Sequence, residues 1–139
     1  MVASTAIHGG NDVPNTPESN KKLVLDFCRA FYDDKDFDRA ATLLRPDFHN
    51  HHPGVGRGRE NTIAGFREHI ANAFPGFTME IRRTVAEADL VCTHGITRLT
   101  PDHRGAVVMD IWRIQDGLLA EHWDVGQQVP DDISPDDML

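Results

Sequence analysis

Asp110, His122 and Asp124 lie on two neighbouring segments, Val107 to Ile114 and Leu118 to Val125, in which apolar and polar residues alternate. A carboxylate walled by apolar side chains is partly desolvated and keeps its proton more readily, so it can take up and release protons near neutrality. A histidine beside it can hold it in place or share the proton. The chemistry such a set would do is proton transfer to and from a small molecule. His49-Asn50-His51-His52-Pro53 is the other unusual feature. Pro53 biases His52 towards an extended backbone, which sends His49 and His51 to one side and Asn50 and His52 to the other. Imidazole is a common zinc ligand, yet no Cys-x-x-Cys or His-Glu-x-x-His spacing accompanies the cluster, so neither a metal nor another cofactor is expected. Loop hydrogen bonding and contact with substrate oxygens are the roles left for it. His94 alternates with Cys92 and Ile96 and is expected to point inward with them, as a core histidine or as a ligand contact. Trp112 shares the face of Asp110 and would be either plain core or a flat wall for a ring system. Gly54, Gly56 and Gly58 with Arg57 and Arg59 lack both the preceding strand and the Gly-Lys-Ser or Gly-Lys-Thr ending of a phosphate loop, and read as a pocket rim.

The elements that must position these residues follow from the periodicity. Leu23, Phe27, Ala30 and Phe31 fall at helical spacing, which predicts an amphipathic helix from Pro17 to Asp34 with Thr16 and Pro17 at its start. A short helix carrying Ala40, Leu43 and Leu44 starts near Asp36 or Asp38 and is expected to end at Pro46. A third runs from about Glu60 to Phe74, stopped by Pro75-Gly76. From Phe77 the period becomes alternating, predicting strands at Phe77 to Ala86, Leu90 to Leu99, Ala106 to Ile114 and Leu118 to Val125. Helices first and consecutive strands afterwards predict an α+β fold, an antiparallel meander with helices on one face.

Which residues face inward depends on the last turn. A three-residue loop Gln115-Asp116-Gly117 places Asp110, Trp112, His122 and Asp124 on one face, with Arg113 and Glu121 on the other as an ion pair. A two-residue Asp116-Gly117 turn exchanges the sets. The first register is favoured because it groups titratable residues inside and opposite charges outside.

The chain's 139 residues suffice for one domain with one core. Hydrophobic residues at 40% and charged residues at 26% are the balance of a globular protein, and no apolar run is long enough to cross a bilayer. A net charge of −8 opposes nucleic acid and anionic lipid as partners. Residues 1–16 lack a secretory signal pattern and read as a loose tail ahead of a domain spanning 17–130; the Asp-rich stretch 131–139 reads as a solvated acidic end. Cys28 and Cys92, each inside an apolar segment, are expected to be free thiols, which fits a cytoplasmic location.

The run from Val107 to Val125, with its aromatic-Arg strand end Trp112-Arg113, Gly117 turn and Glu121-His122-Trp123, resembles the last hairpin of the SnoaL-like polyketide cyclases. The His52-Pro53 pair followed by Gly58, and the turn Glu87-Ala88-Asp89 into the strand bearing His94, are similar to the same family. The usual Gly-Lys-Ile after the turn is Gly117-Leu118-Leu119 here. The resemblance implies the cone of the nuclear-transport-factor-2-like superfamily, with His52 at the mouth of an enclosed pocket. It also implies cofactor-independent, aldol-type acid/base catalysis by an Asp on the late strands, Asp110 or Asp124. The substrate expected is a small hydrophobic carbonyl compound, the activity that of a cyclase or isomerase in the isomerase or lyase class, and the assembly a homodimer. Hydration or epoxide opening, with a water held between Asp110 and Asp124, is a second reading. A non-catalytic binding or dimerisation module is a third, marked by a self-filled pocket or by an Asp paired with Arg98 or Arg113.

Overall fold

A computed structural model describes residues 15–139. Most of the expected N-terminal tail therefore lies outside the described residues. Helix α1, Pro17–Cys28, opens with Pro17 behind Thr16, whose hydroxyl accepts from the Ser19 backbone N–H while the Ser19 hydroxyl accepts from that of Thr16. It continues into a wider π-type turn, Arg29–Asp33, closed by the Asp34 N–H on the Arg29 carbonyl. Helix α2 spans Phe37–Leu43, capped by the Asp36 side chain. Helix α3, Arg59–Phe66, likewise runs on into a π-type turn, Arg67–Ala71.

The sheet is six-stranded, in the order β2-β1-β6-β5-β4-β3. Strands β3 (Thr78–Glu87), β4 (Leu90–Arg98), β5 (Ala106–Gln115) and β6 (Leu118–Gln128) form the expected antiparallel meander. Strands β1 (Leu44–Asn50) and β2 (Gly56–Arg57) were not expected. Strand β1 starts at Leu44, runs parallel to β6 and carries Pro46 without penalty. Its ladder is broken between the Leu44↔Leu119 and His49↔Glu121 pairs, and Pro46 falls in that break, where no N–H has to be supplied.

The last hairpin corrects the expectation in an instructive way. Asp116 (φ 53°) and Gly117 (φ 75°) make a two-residue turn with both residues left-handed, pairing Gln115 with Leu118. Two-residue geometry alone would have exchanged the faces. A bulge at Ala120 intervenes, because Ile114 pairs with Leu119 and Arg113 with Glu121, leaving Ala120 as the extra residue. Leu119 and Ala120 are consequently both buried, and from Glu121 onward the favoured register holds.

The helices close one face of the sheet. Phe27 stacks on Phe31 at 5.0 Å and meets Trp112 edge-on at 5.5 Å, while Phe31 lies 4.5 Å from Phe66. The opposite, outer face carries a second small core of Ile96, Val107 and Val129. The Asp residues of the acidic end are exposed, while its last two residues pack against that core. A short helix α4, Pro135–Met138, brings Met138 and Leu139 onto that core; Arg82 pairs with Asp136 at 3.1 Å and Arg83 donates to the Leu139 carbonyl. Val107 and Ile96 supply apolar surface that composition alone did not assign to the tail. Gly95 sits opposite the bulge of β3, where an added Cβ would come within 2.2 Å of the Glu80 carbonyl oxygen, so only glycine allows the strands to approach. Among the described residues no helix is long and apolar enough to cross a membrane. Cys28 and Cys92 are free thiols, the first buried and the second half-buried.

Candidate active site

Between α3, the helical turn after α1 and the sheet lies a cavity of about 550 Å³. Aromatic and aliphatic side chains, among them Phe31, Tyr32, Phe66 and Phe77, make most of its wall. Asp110, His122, Asp124, His52 and Asn50 supply polar groups at one side, and among the described residues neither Lys nor Arg lines it.

Strand pairing builds the polar side. Asp110 on β5 lies directly opposite Asp124 on β6, and Trp112 opposite His122. On the other flank of β6, Asn50 of β1 is the register partner of His122. Asp110 and His122 are buried, 3% and 2% exposed, so neither can rely on water for its hydrogen bonds. His122 Nε2 meets Asp110 Oδ1 at 2.7 Å, and His122 Nδ1 meets Asn50 Oδ1 at 3.0 Å. Asn50 Oδ1 also accepts the His52 backbone N–H at 2.9 Å, which identifies it as the amide oxygen. An acceptor there requires the proton on Nδ1 of His122, so the opposite nitrogen addresses Asp110. A single proton then lies between Nε2 and Oδ1, carried by one or the other. The second carboxylate oxygen, Asp110 Oδ2, is buried with no hydrogen-bond partner among the described residues. At the mouth, His52 Nδ1 contacts both oxygens of Asp124, at 2.9 and 2.8 Å. Asp110, His122 and Asp124 each offer a ligand atom within 4.8 Å of the others.

Burial pushes the Tyr32 phenol well above its ordinary range, and the negative charges of Asp110, Cys28 and Asp124 push it further in the same direction. It is therefore held as a neutral hydrogen-bond donor beside the cavity. Burial, aided by the charges of Asp110 and Asp33, likewise raises the Cys28 thiol.

The structure brings together Asp110, Asp124, His122 and His52 as expected from the sequence, but not His94 or Trp112. His94 is on the outer face, half-buried, and accepts from Arg83 through Nδ1. The inward residues of β4 are instead Val91 and Thr93, both fully buried, which reverses the parity expected from Cys92 and Ile96; Ile96 belongs to the outer core. Trp112 does face inward, yet it is core and no wall of the cavity. It packs behind His122 at 4.1 Å and donates through Nε1 to Thr93 Oγ1 at 3.2 Å. Asn50 and Tyr32 were not singled out in the sequence. The alternation of Asn50 with His52 was the signal for the first; the π-type turn that reorients the end of α1 left no signal for the second. The Gly-rich stretch forms part of the rim, with Gly54 and Val55 lining the cavity.

Comparison with known proteins agrees with this architecture. A search of curated protein sequences finds no significant match. Among solved structures, IdmH from Streptomyces antibioticus, described as a candidate polyketide cyclase, superposes with a TM-score of 0.66 at 23% identity, over 78% of this chain and 91% of its own. A loop-truncated variant of IdmH gives the same TM-score at 25% identity, over 78% and 92%. A candidate ketosteroid isomerase from Kribbella flavida superposes with a TM-score of 0.69 at 16% identity, over 88% of each chain. These likenesses establish the nuclear-transport-factor-2-like α+β fold. The SnoaL-like domain matches residues 24–122, most of the chain including β1, β5 and His122, and the protein belongs to that family.

Proposed function

We propose that the chain is a cofactor-independent enzyme of cyclase or isomerase type, in which Asp110 moves a proton on a small, largely apolar carbonyl compound. The observation that carries this reading is Asp110 Oδ2, a buried carboxylate oxygen without a partner among the described residues, on a residue that lines a cavity walled by aromatic rings. Its other oxygen is occupied by His122, which can return the proton it shares. Asp110 would take the proton next to the carbonyl, breaking the C–H bond and sending its electron pair towards the carbonyl oxygen. Tyr32, held neutral, is the donor best suited to stabilise that oxygen as it gains charge. The resulting enolate either recovers the proton at another carbon or attacks a second carbonyl to close a ring. Asp124 and His52 would position the substrate at the mouth. The family and fold support a cyclase or isomerase type of role at this coarser level.

Hydration or epoxide opening is supported by one observation, the closeness of the Asp110, His122 and Asp124 ligand atoms, a separation that one water could bridge. The features that would favour a non-catalytic module are not seen among the described residues: the cavity is open, Arg98 lies beside Glu80, and Arg113 pairs with Glu121. We also propose that two copies pair through the outer sheet face, where Val85 is 65% and Val125 72% exposed beside Met109 and Ile111.

Crystals soaked with a panel of aromatic and polyketide-like carbonyl compounds test the reading. A carbonyl or its α-carbon within hydrogen-bonding reach of Asp110 Oδ2 is the expected result. Ligands that bind only with Asp110 Oδ2 turned away from every reactive carbon would overturn it, and incorporation of oxygen from labelled water into product would favour hydration.

A further inference from the structure

The side chains of β1 and β6 that point away from the cavity form a second convergent set. His49 on β1 and His51, one residue past its end with its N–H on the His122 carbonyl, share the outer face, and His49 is the register partner of Glu121 on the parallel strand β6. Their rings lie 3.7 Å apart between centroids. His51 Nε2 is 2.8 Å from Glu121 Oε2, and the three residues each bring one ligand atom within 4.8 Å of the others. The sequence alone showed only the histidines; the carboxylate comes from a strand 70 residues away, through a parallel pairing that was not foreseen.

We propose that His49, His51 and Glu121 bind one divalent transition-metal ion of the zinc type, on the opposite side of the sheet from the cavity. Two imidazoles and a carboxylate are a ligand set that zinc accepts, leaving a fourth position for water. Tetrahedral bonds of about 2.1 Å require ligand atoms about 3.4 Å apart, within the range these side chains span. Their orientation is already fixed by neighbours. The Trp123 indole stacks on the His51 ring at 4.8 Å and 6°. Arg113 Nε donates to Glu121 Oε1 at 2.7 Å, which leaves Oε2 turned to the histidines. Such outer partners commonly set the geometry and affinity of a metal centre. A hollow of about 180 Å³ beside His49 and Glu121 gives an ion access from solvent. Arg57 and Arg113 border the same hollow. Their charge weakens a site that rests on electrostatics, so the site should take nitrogen-preferring ions and reject calcium and magnesium, which depend on carboxylate oxygens. Binding requires His51 Nε2 to give up to the ion the position it now uses towards Glu121.

The test uses untagged full-length chain freed of metal by chelator and titrated with zinc chloride by calorimetry, and with copper(II) chloride by tryptophan fluorescence. One zinc ion per chain is expected, with no heat from calcium or magnesium. Copper(II) should quench the Trp123 emission, and Trp123→Phe should abolish that quenching. His49→Ala and Glu121→Gln should each weaken zinc binding by roughly tenfold or more. Asp124→Asn, in the cavity, should leave it unchanged. Circular dichroism melts confirm that each variant is folded. The proposal is overturned if zinc fails to saturate, if binding survives both His49→Ala and Glu121→Gln, or if Asp124→Asn is the variant that removes it.

Discussion

Two acid–base pairs, one residue apart on β6 and three apart on β5, face opposite ways. Inside, Asp110 meets His122, with side chains 5% and 3% exposed. Outside, Glu121 meets Arg113, with side chains 24% and 28% exposed. The partner decides what each carboxylate can do. The hydrogen bond from His51, with that from Arg113, occupies both oxygens of Glu121 and holds that carboxyl below its usual range. Such a carboxylate stays charged and is a poor carrier of protons. His122 can accept or return a proton, and it occupies one oxygen of Asp110 while the other stays uncommitted. The outer pair resembles a structural bridge, and the inner one has the means to react.

Substitutions can break this contrast, the largest effect first. Trp112 is 1% exposed behind His122, whereas Ile111, its neighbour in sequence, is 42% exposed on the outer face. Trp112→Ala should cost about 3–5 kcal/mol of stability in urea unfolding. Ile111→Ala should cost under about 1 kcal/mol. Equal losses would mean that the two faces are not distinguished by burial. Asn50→Ala removes the acceptor for the buried Nδ1–H of His122 and should cost about 1–3 kcal/mol in the same assay. It should also shift the pH profile of turnover, which a merely structural loss would not do.

Titration sharpens the comparison because the two sides respond at opposite ends of the pH scale. The fold raises Tyr32 above its ordinary value of 10.0, so folded protein binds the proton more tightly. That contribution is complete below the unfolded value and is lost as pH rises past it. Tyr32→Phe should flatten the alkaline fall in stability; an unchanged alkaline slope would contradict the burial argument. Glu121 is lowered from 4.5, so its contribution is complete above that value and is lost as pH falls through the lower folded one. The Arg113–Glu121 coupling from a double-mutant cycle should be the smallest effect, up to about 1 kcal/mol at pH 7 and vanishing at acid pH. A coupling of several kcal/mol would make the outer pair more than a half-exposed bridge.

Much of this arrangement was legible in the residues, and the failures have physical causes. Strands β3 to β6 announce themselves by alternation, and the grouping of opposite charges outside and titratable groups inside fixed the correct face for Asp110 and His122. The turn proposed to achieve that face was wrong. A two-residue turn and an Ala120 bulge produce the same parity as a three-residue loop, and a bulge has no sequence period of its own. Strand β1 was hidden by Pro46, whose cost is cancelled only by a break in pairing that is visible in three dimensions. His94 was misplaced because Cys92 and Ile96 are apolar on a face that is itself partly covered, by the C-terminal residues. Glu121 as a partner of His49 and His51 required the parallel pairing, a contact between distant segments that local pattern does not carry.

Proton transfer by Asp110 is tested most directly by solvent deuterium uptake. A ketone shown to occupy the cavity is incubated in D2O with wild type, Asp110→Asn or Arg113→Ala, and loss of its α-proton is followed by NMR. Wild type should catalyse the exchange, Asp110→Asn should be slower by roughly a hundredfold or more while still binding the ketone, and Arg113→Ala should match wild type. Exchange that proceeds at the wild-type rate in Asp110→Asn, or that wild type does not catalyse for a ketone seated against Asp110, would contradict the assignment.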